Sequence, residues 1–75
     1  MDDKHHKAFV QIGLNILYYR KEKGITQQEL AEMASFSRNH IQKIETAKVM
    51  PSVAALIDIA AALNIPVGKL FESKS

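Results

Sequence analysis

Apolar residues recur along most of the chain at intervals of three and four, the period of a helix with one buried face. Phe9, Ile12, Ile16 and Tyr19 form the first such series, with Gly13 and Arg20 on the same side. Gly24 follows Lys21, Glu22 and Lys23 as a stop signal, so helix 1 is expected over residues 8–23. Thr26 with Glu29 three places on is a capping box, in which each side chain satisfies a free backbone amide of the other. It starts helix 2, which turns Leu30, Ala31 and Ala34 inward and ends where Ser35, Phe36 and Ser37 interrupt it. Ser37 can cap a third helix, expected over residues 37–46. Pro51 blocks its continuation, and Ser52 caps Val53–Leu63, whose inward stripe is Leu56, Ile59, Ala60 and Leu63. After Asn64 and Pro66, Val67–Phe71 makes a short fifth helix that brings Leu70 and Phe71 to the core.

No alternating strand pattern, internal repeat or low-complexity stretch competes with this reading. The expected fold is all-α: a compact five-helix domain over residues 8–71, with a flexible tail at 1–7 and another at 72–75. Seventy-five residues hold one domain, near the lower size at which a core stands without staples. The content of 47% hydrophobic and 24% charged residues suits a packed core. Cysteine is absent, which removes disulfides and thiolate metal sites. No apolar run reaches the length of a membrane span and residues 1–7 are charged, so a cytoplasmic protein without membrane contact is expected. With no room for a sensor domain, control by protein dose is expected rather than control by a small ligand; no cofactor is expected either.

Ten Lys and Arg against eight Asp and Glu leave a net charge of +2, compatible with nucleic acid but uninformative by itself. Placement says more. At 100° per residue, Ile41 and Ile44 define the buried side of helix 3, which puts Asn39, Gln42, Lys43 and Thr46 opposite, with Arg38 and His40 flanking. Such a face, polar and free of acids, suits the major groove. There Arg bonds guanine O6 and N7 in a fork, and Asn or Gln does the same to adenine N6 and N7. Arg38 and Asn39, in the first turn, are the leading base readers, with Gln42 and Lys43 behind them. Taken alone, the face is an ordinary solvated helix surface. Its weight comes from the pattern around it.

Thr26-Gln27-Gln28-Glu29-Leu30-Ala31, Phe36-Ser37, Ile41, Ile44-Glu45, Pro51, Leu56, Ile59-Ala60 and Leu63 fall in one register. That register resembles the Cro/CI-type, or lambda-repressor-like, helix-turn-helix domain over roughly residues 9–71. The resemblance implies a transcriptional regulator that binds double-stranded DNA, with the motif at helices 2 and 3. By the same resemblance, Gln27, Ser37, His40, Thr46 and Lys48 lie beside the DNA backbone. The resemblance also implies that Arg20 and Glu45 form a buried ion pair, which would fix helix 3 against helix 1. The chain departs from the family at two usual glycines, replaced by Ser35 in the turn and Ala47 after helix 3. It also carries Leu14, Leu17 and Tyr18 on a side of helix 1 that the family makes charged, and Ile57 and Ala61 outside the stripe of helix 4. Scattered exposed apolar residues need no explanation. Read functionally, these five are a candidate association surface. The favoured form is a homodimer through helices 4 and 5 on a pseudo-palindromic operator, with the helix 1 patch packing on a partner or on the chain's own C-terminus.

Other functions fit less well. Ser37 and His40 share a helix but have no acid placed to orient the histidine, so no catalytic triad is expected. His5 and His6 beside Asp2 and Asp3 lack the spacing of a helical metal site and read as solvated tail. The serious alternative keeps the fold and changes the partner: an antitoxin or accessory module that works mainly by binding protein. Controllers of restriction-modification genes and phage repressors share this size class.

Overall fold

The computed structural model describes residues 3–73, and of these the side chains from His5 onward. The architecture is all-α: α1 (Asp3–Lys23), α2 (Gln27–Ala34), α3 (Arg38–Glu45), α4 (Val53–Leu63) and a closing 3₁₀ turn, Val67–Phe71. Among the described residues no strand occurs and no helix is long and apolar enough to cross a membrane.

Each boundary has a local cause. Gly24, at φ 77°, takes the left-handed conformation that lets its amide and that of Ile25 close back on the carbonyl of Arg20, ending α1. Thr26 Oγ1 accepts from the Glu29 amide at 3.0 Å and Glu29 Oε1 accepts from the Thr26 amide at 2.8 Å, so both halves of the capping box are made. Ser37 and Ser52 cap α3 and α4 by accepting from the amides of His40 and Ala55. Ser35 and Ala47 both adopt left-handed φ values, 62° and 60°, at the two places where glycine was missed.

Two elements differ from expectation. Helix α1 begins at Asp3, so residues 3–7 continue the helix instead of forming a tail: no glycine or proline stands between Asp3 and Ala8 to stop it. Residues 1, 2, 74 and 75 of the expected tails lie outside the described residues. The fifth helix is a single 3₁₀ segment, with the Lys69 amide bonded to the Pro66 carbonyl three residues back. Five residues that include Gly68 are too few to repay α-helix nucleation.

The core is one cluster. Ile12 and Ile16 of α1 meet Leu30 and Ala31 of α2, Ile41 and Ile44 of α3, Leu56, Ile59 and Leu63 of α4, and Leu70 of the 3₁₀ turn. Burying a side chain of this size contributes about 1.5–3 kcal/mol, and a chain without disulfides depends on that sum. Gly13 decides how closely α3 approaches α1. A Cβ built there would sit 2.6 Å from the Glu45 carbonyl oxygen and 2.7 Å from that of Ile44. Backbone packs directly on backbone at that point, which no larger residue permits.

Candidate nucleic-acid interface

Helix α3 has two unlike sides. Ile41, Ile44 and Glu45 are buried. Arg38, Asn39, Lys43 and Thr46 are exposed and Gln42 half-exposed. Arg38, Asn39 and Gln42 line one shallow, open groove. Among the described residues, the side chains of Arg38, Asn39, Gln42 and Lys43 make no hydrogen bond or ion pair. Their forks and amides are unspent, and no acidic side chain stands on the outer face to repel a phosphate.

The inner side is fully committed. Arg20 Nε donates to Glu45 Oε2 at 2.7 Å and Nη2 donates to Oε1 at 3.1 Å, a two-point fork between α1 and α3. The third nitrogen, Nη1, donates to the Ile25 carbonyl at 3.0 Å. Both side chains are less than a tenth exposed. Among the described residues, no buried side-chain nitrogen or oxygen lacks a partner. A buried charge pair of this kind is tolerable because its remaining donors and lone pairs are satisfied. The pair ties the C-terminal end of α3 to α1 and to the turn before α2.

The expected backbone-contact residues divide by what their atoms already do. Gln27 Nε2 donates to Glu45 Oε1 at 2.9 Å, so this amide joins α2 to the ion pair and keeps one N–H for other use. Ser37 Oγ accepts from the His40 amide, which leaves its hydroxyl hydrogen unspent. His40 is half-buried and packs edge-on against Phe36, ring centroids 5.0 Å apart. Thr46 Oγ1 donates to the Gln42 carbonyl at 2.8 Å, and a hydroxyl whose one hydrogen is engaged cannot also donate to a phosphate. Lys48 is exposed in the loop that leaves α3.

The family model described as Helix-turn-helix matches residues 16–70. The chain belongs to the helix-turn-helix family. Relatives of this helix-turn-helix chain include the immunity repressor protein of Bacillus phage phi105, 39% identical over 59 residues. That match covers 79% of the chain and 41% of the phage protein. The HTH-type transcriptional regulator SinR of Bacillus subtilis is 38% identical over 64 residues, covering 84% of the chain and 58% of SinR. The chain thus spans about half the length of these two relatives. Among solved structures, the restriction-modification controller protein C.AhdI from Aeromonas hydrophila superposes with a TM-score of 0.82 at 27% identity. That superposition covers 84% of the chain and 96% of the controller. The N-terminal DNA-binding domain of SinR gives a TM-score of 0.78 at 37% identity, over 85% of the chain and 94% of that domain.

Three residues of this helix-turn-helix chain carry more than its sequence disclosed. Gly13 admits α3, and Gln27 joins the ion pair. Asn15, fully buried, donates through Nδ2 to the carbonyls of Leu70 at 3.0 Å and Glu72 at 2.7 Å, while its Oδ1 accepts from Gln11. An asparagine between Ile12 and Ile16 was the available signal, because a polar residue on a buried stripe needs partners. Of the candidate association residues, Leu14 and Ile57 are each 50% exposed and Tyr18 48%; Ala61 is exposed and Leu17 half-buried. The described C-terminal residues are held to α1 through Asn15.

Proposed function

We propose that this chain is a sequence-specific transcriptional regulator that binds double-stranded DNA, with α2 and α3 as its helix-turn-helix and α3 as the recognition helix. The observation that carries the reading is the outer face of α3. Four polar or basic side chains stand there with unspent donors and no acid among them, on a helix anchored from behind by two isoleucines and an ion pair. Arg38 and Asn39, in the first turn, are the base readers, supported by Gln42 and Lys43. Gln27, Ser37 and Lys48 lie along the backbone of the duplex, with His40 as a wall beside them.

One such helix reads a short half-site, so the regulator acts as a homodimer on a pseudo-palindrome. A body of 31 × 24 × 19 Å allows two copies side by side on half-sites about 34 Å apart. Selection of bound duplexes from a random pool tests the reading. A palindromic consensus with half-sites one helical turn apart supports it; failure to enrich any duplex, even at low salt where phosphate contacts are strongest, overturns it. A module that works mainly by binding protein is the second reading, favoured by exposed Leu14 and Tyr18. It gains if no duplex is enriched while the purified chain captures a protein encoded beside it.

A further inference from the structure

The contacts proposed along α3 leave one exposed residue of its outer face without a role. Thr46 closes the helix as its C-cap. Its amide donates to the Gln42 carbonyl at 3.1 Å, so the helical register runs through it. Seven residues on from Asn39, Thr46 lies within about 20° of it around the helix axis and about 10 Å further along. It stands in line with the base readers, between the directions of Gln42 and Lys43, about three base-pair steps of 3.4 Å beyond Asn39. The two γ atoms of Thr46 are used differently. Oγ1 is folded back on the previous turn, donating to the Gln42 carbonyl at 2.8 Å and lying 3.4 Å from that of Lys43. Its one hydrogen is spent. The residue is nevertheless exposed, and the γ atom left to face outward is the methyl. A stripe of donors thus ends in an apolar tip.

We infer that Thr46 is a specificity-determining residue that reads the 5-methyl group of a thymine. This role rests on α3 being the recognition helix, as proposed above. In the major groove adenine, guanine and cytosine offer donors and acceptors, and thymine alone adds an apolar group. Methyl against methyl takes apolar surface of both partners out of water. Cytosine in the same place would turn its amine against the methyl and lose the hydrogen bond that the amine makes with water. The contact therefore prefers thymine, at a place about three base pairs from the one bonded by Asn39. The spent hydroxyl contributes to this role. Its bond to the Gln42 carbonyl holds the side chain in one rotamer, so the methyl is already ordered before the duplex arrives.

The test compares the selected operator with copies in which one thymine at a time is replaced by uracil, which lacks only the 5-methyl group. Wild type, Thr46→Ser and Thr46→Val are bound to each duplex at one salt concentration. For the wild type, uracil at one position of a half-site should weaken binding roughly 3- to 10-fold, in keeping with the burial of one methyl group. Thr46→Ser keeps the hydroxyl and loses the methyl. It should bind the thymine operator as weakly as the wild type binds the uracil copy, and should no longer respond to uracil at that position. Thr46→Val keeps the methyl and should keep the response. Crossing the protein change with the base change isolates the pair. Both variants should melt close to the wild type, because the Gln42 carbonyl retains the amide of residue 46. A hydroxyl contact to a phosphate or a base amine has the opposite signature, with binding kept by Thr46→Ser and lost by Thr46→Val, and overturns the inference. So does a wild type indifferent to uracil at every thymine, or a uracil effect equal in the wild type and Thr46→Ser. The unaltered operator separates the two readings. If Arg38→Ala weakens binding to it while no uracil does, the recognition helix stands and Thr46 has no part in readout; if no duplex is selected at all, the recognition-helix reading falls and takes the thymine contact with it.

Discussion

On the inner side of α3, Glu45 takes hydrogen bonds from Arg20 and Gln27, and the backbone of residues 44 and 45 lies against Gly13. On its outer side, Arg38, Asn39 and Lys43 stand exposed, and among the described residues their side chains make no hydrogen bond. The same eight-residue helix is held rigidly by one face and offers the other unsatisfied. A residue that spends its donors within the fold cannot also read a base, and a base reader needs a backbone that does not move when it binds. The contrast leads to a simple separation: changes on the inner side act on stability, and changes on the outer side act on DNA.

The largest expected effect is therefore structural. Glu45→Ala strands the Arg20 guanidinium in a buried site and should cost about 3–5 kcal/mol of unfolding free energy, measured by urea denaturation. Gly13→Ala comes next. Its methyl has only backbone to displace, so a net loss of about 2 kcal/mol is expected despite the better helix propensity of alanine. Asn15→Ala should cost about 1–3 kcal/mol by leaving the Leu70 carbonyl without its side-chain donor. It should also raise hydrogen exchange in residues 67–72 more than in α3. The smallest change has the opposite sign: Ser35→Gly relieves a left-handed serine and should raise stability by about 0.5–1 kcal/mol with DNA affinity untouched. Loss of folding stability from an outer-face change such as Lys43→Ala would blur the separation.

The sequence and the structure agree where structure is local. Caps at Thr26, Ser37 and Ser52, the stop at Gly24 and the three-four spacing of the core are written in neighbouring residues, and so were legible. The outward direction of Arg38 and Asn39 follows from the same arithmetic, since 100° per residue carries them away from Ile41 and Ile44. What escaped depends on contacts between residues far apart in the chain. The role of Gly13 exists only because the end of α3 lands on it, and that of Asn15 only because the 3₁₀ turn returns to α1. Gln27 and Thr46 show the same limit within the candidate interface: residue type announces a donor, but only the folded chain shows that Glu45 has taken one of the two Gln27 N–H groups and that the Gln42 carbonyl has engaged the Thr46 hydroxyl. The start of α1 is not legible for a simpler reason. Residues 3–7 carry no apolar stripe, and a polar helical turn cannot be told from a tail by periodicity.

The comparison between the faces comes to a point at Arg38. Equilibrium binding of Arg38→Ala and the wild type should be measured side by side, on the selected operator and on a random duplex of equal length, at one fixed salt concentration. An arginine that bonds a guanine edge predicts a loss of roughly 5- to 150-fold on the operator, relaxed preference at one base pair, and little change on the random duplex. Equal losses on both duplexes would make Arg38 a phosphate contact, and no loss on either would take α3 out of the groove altogether.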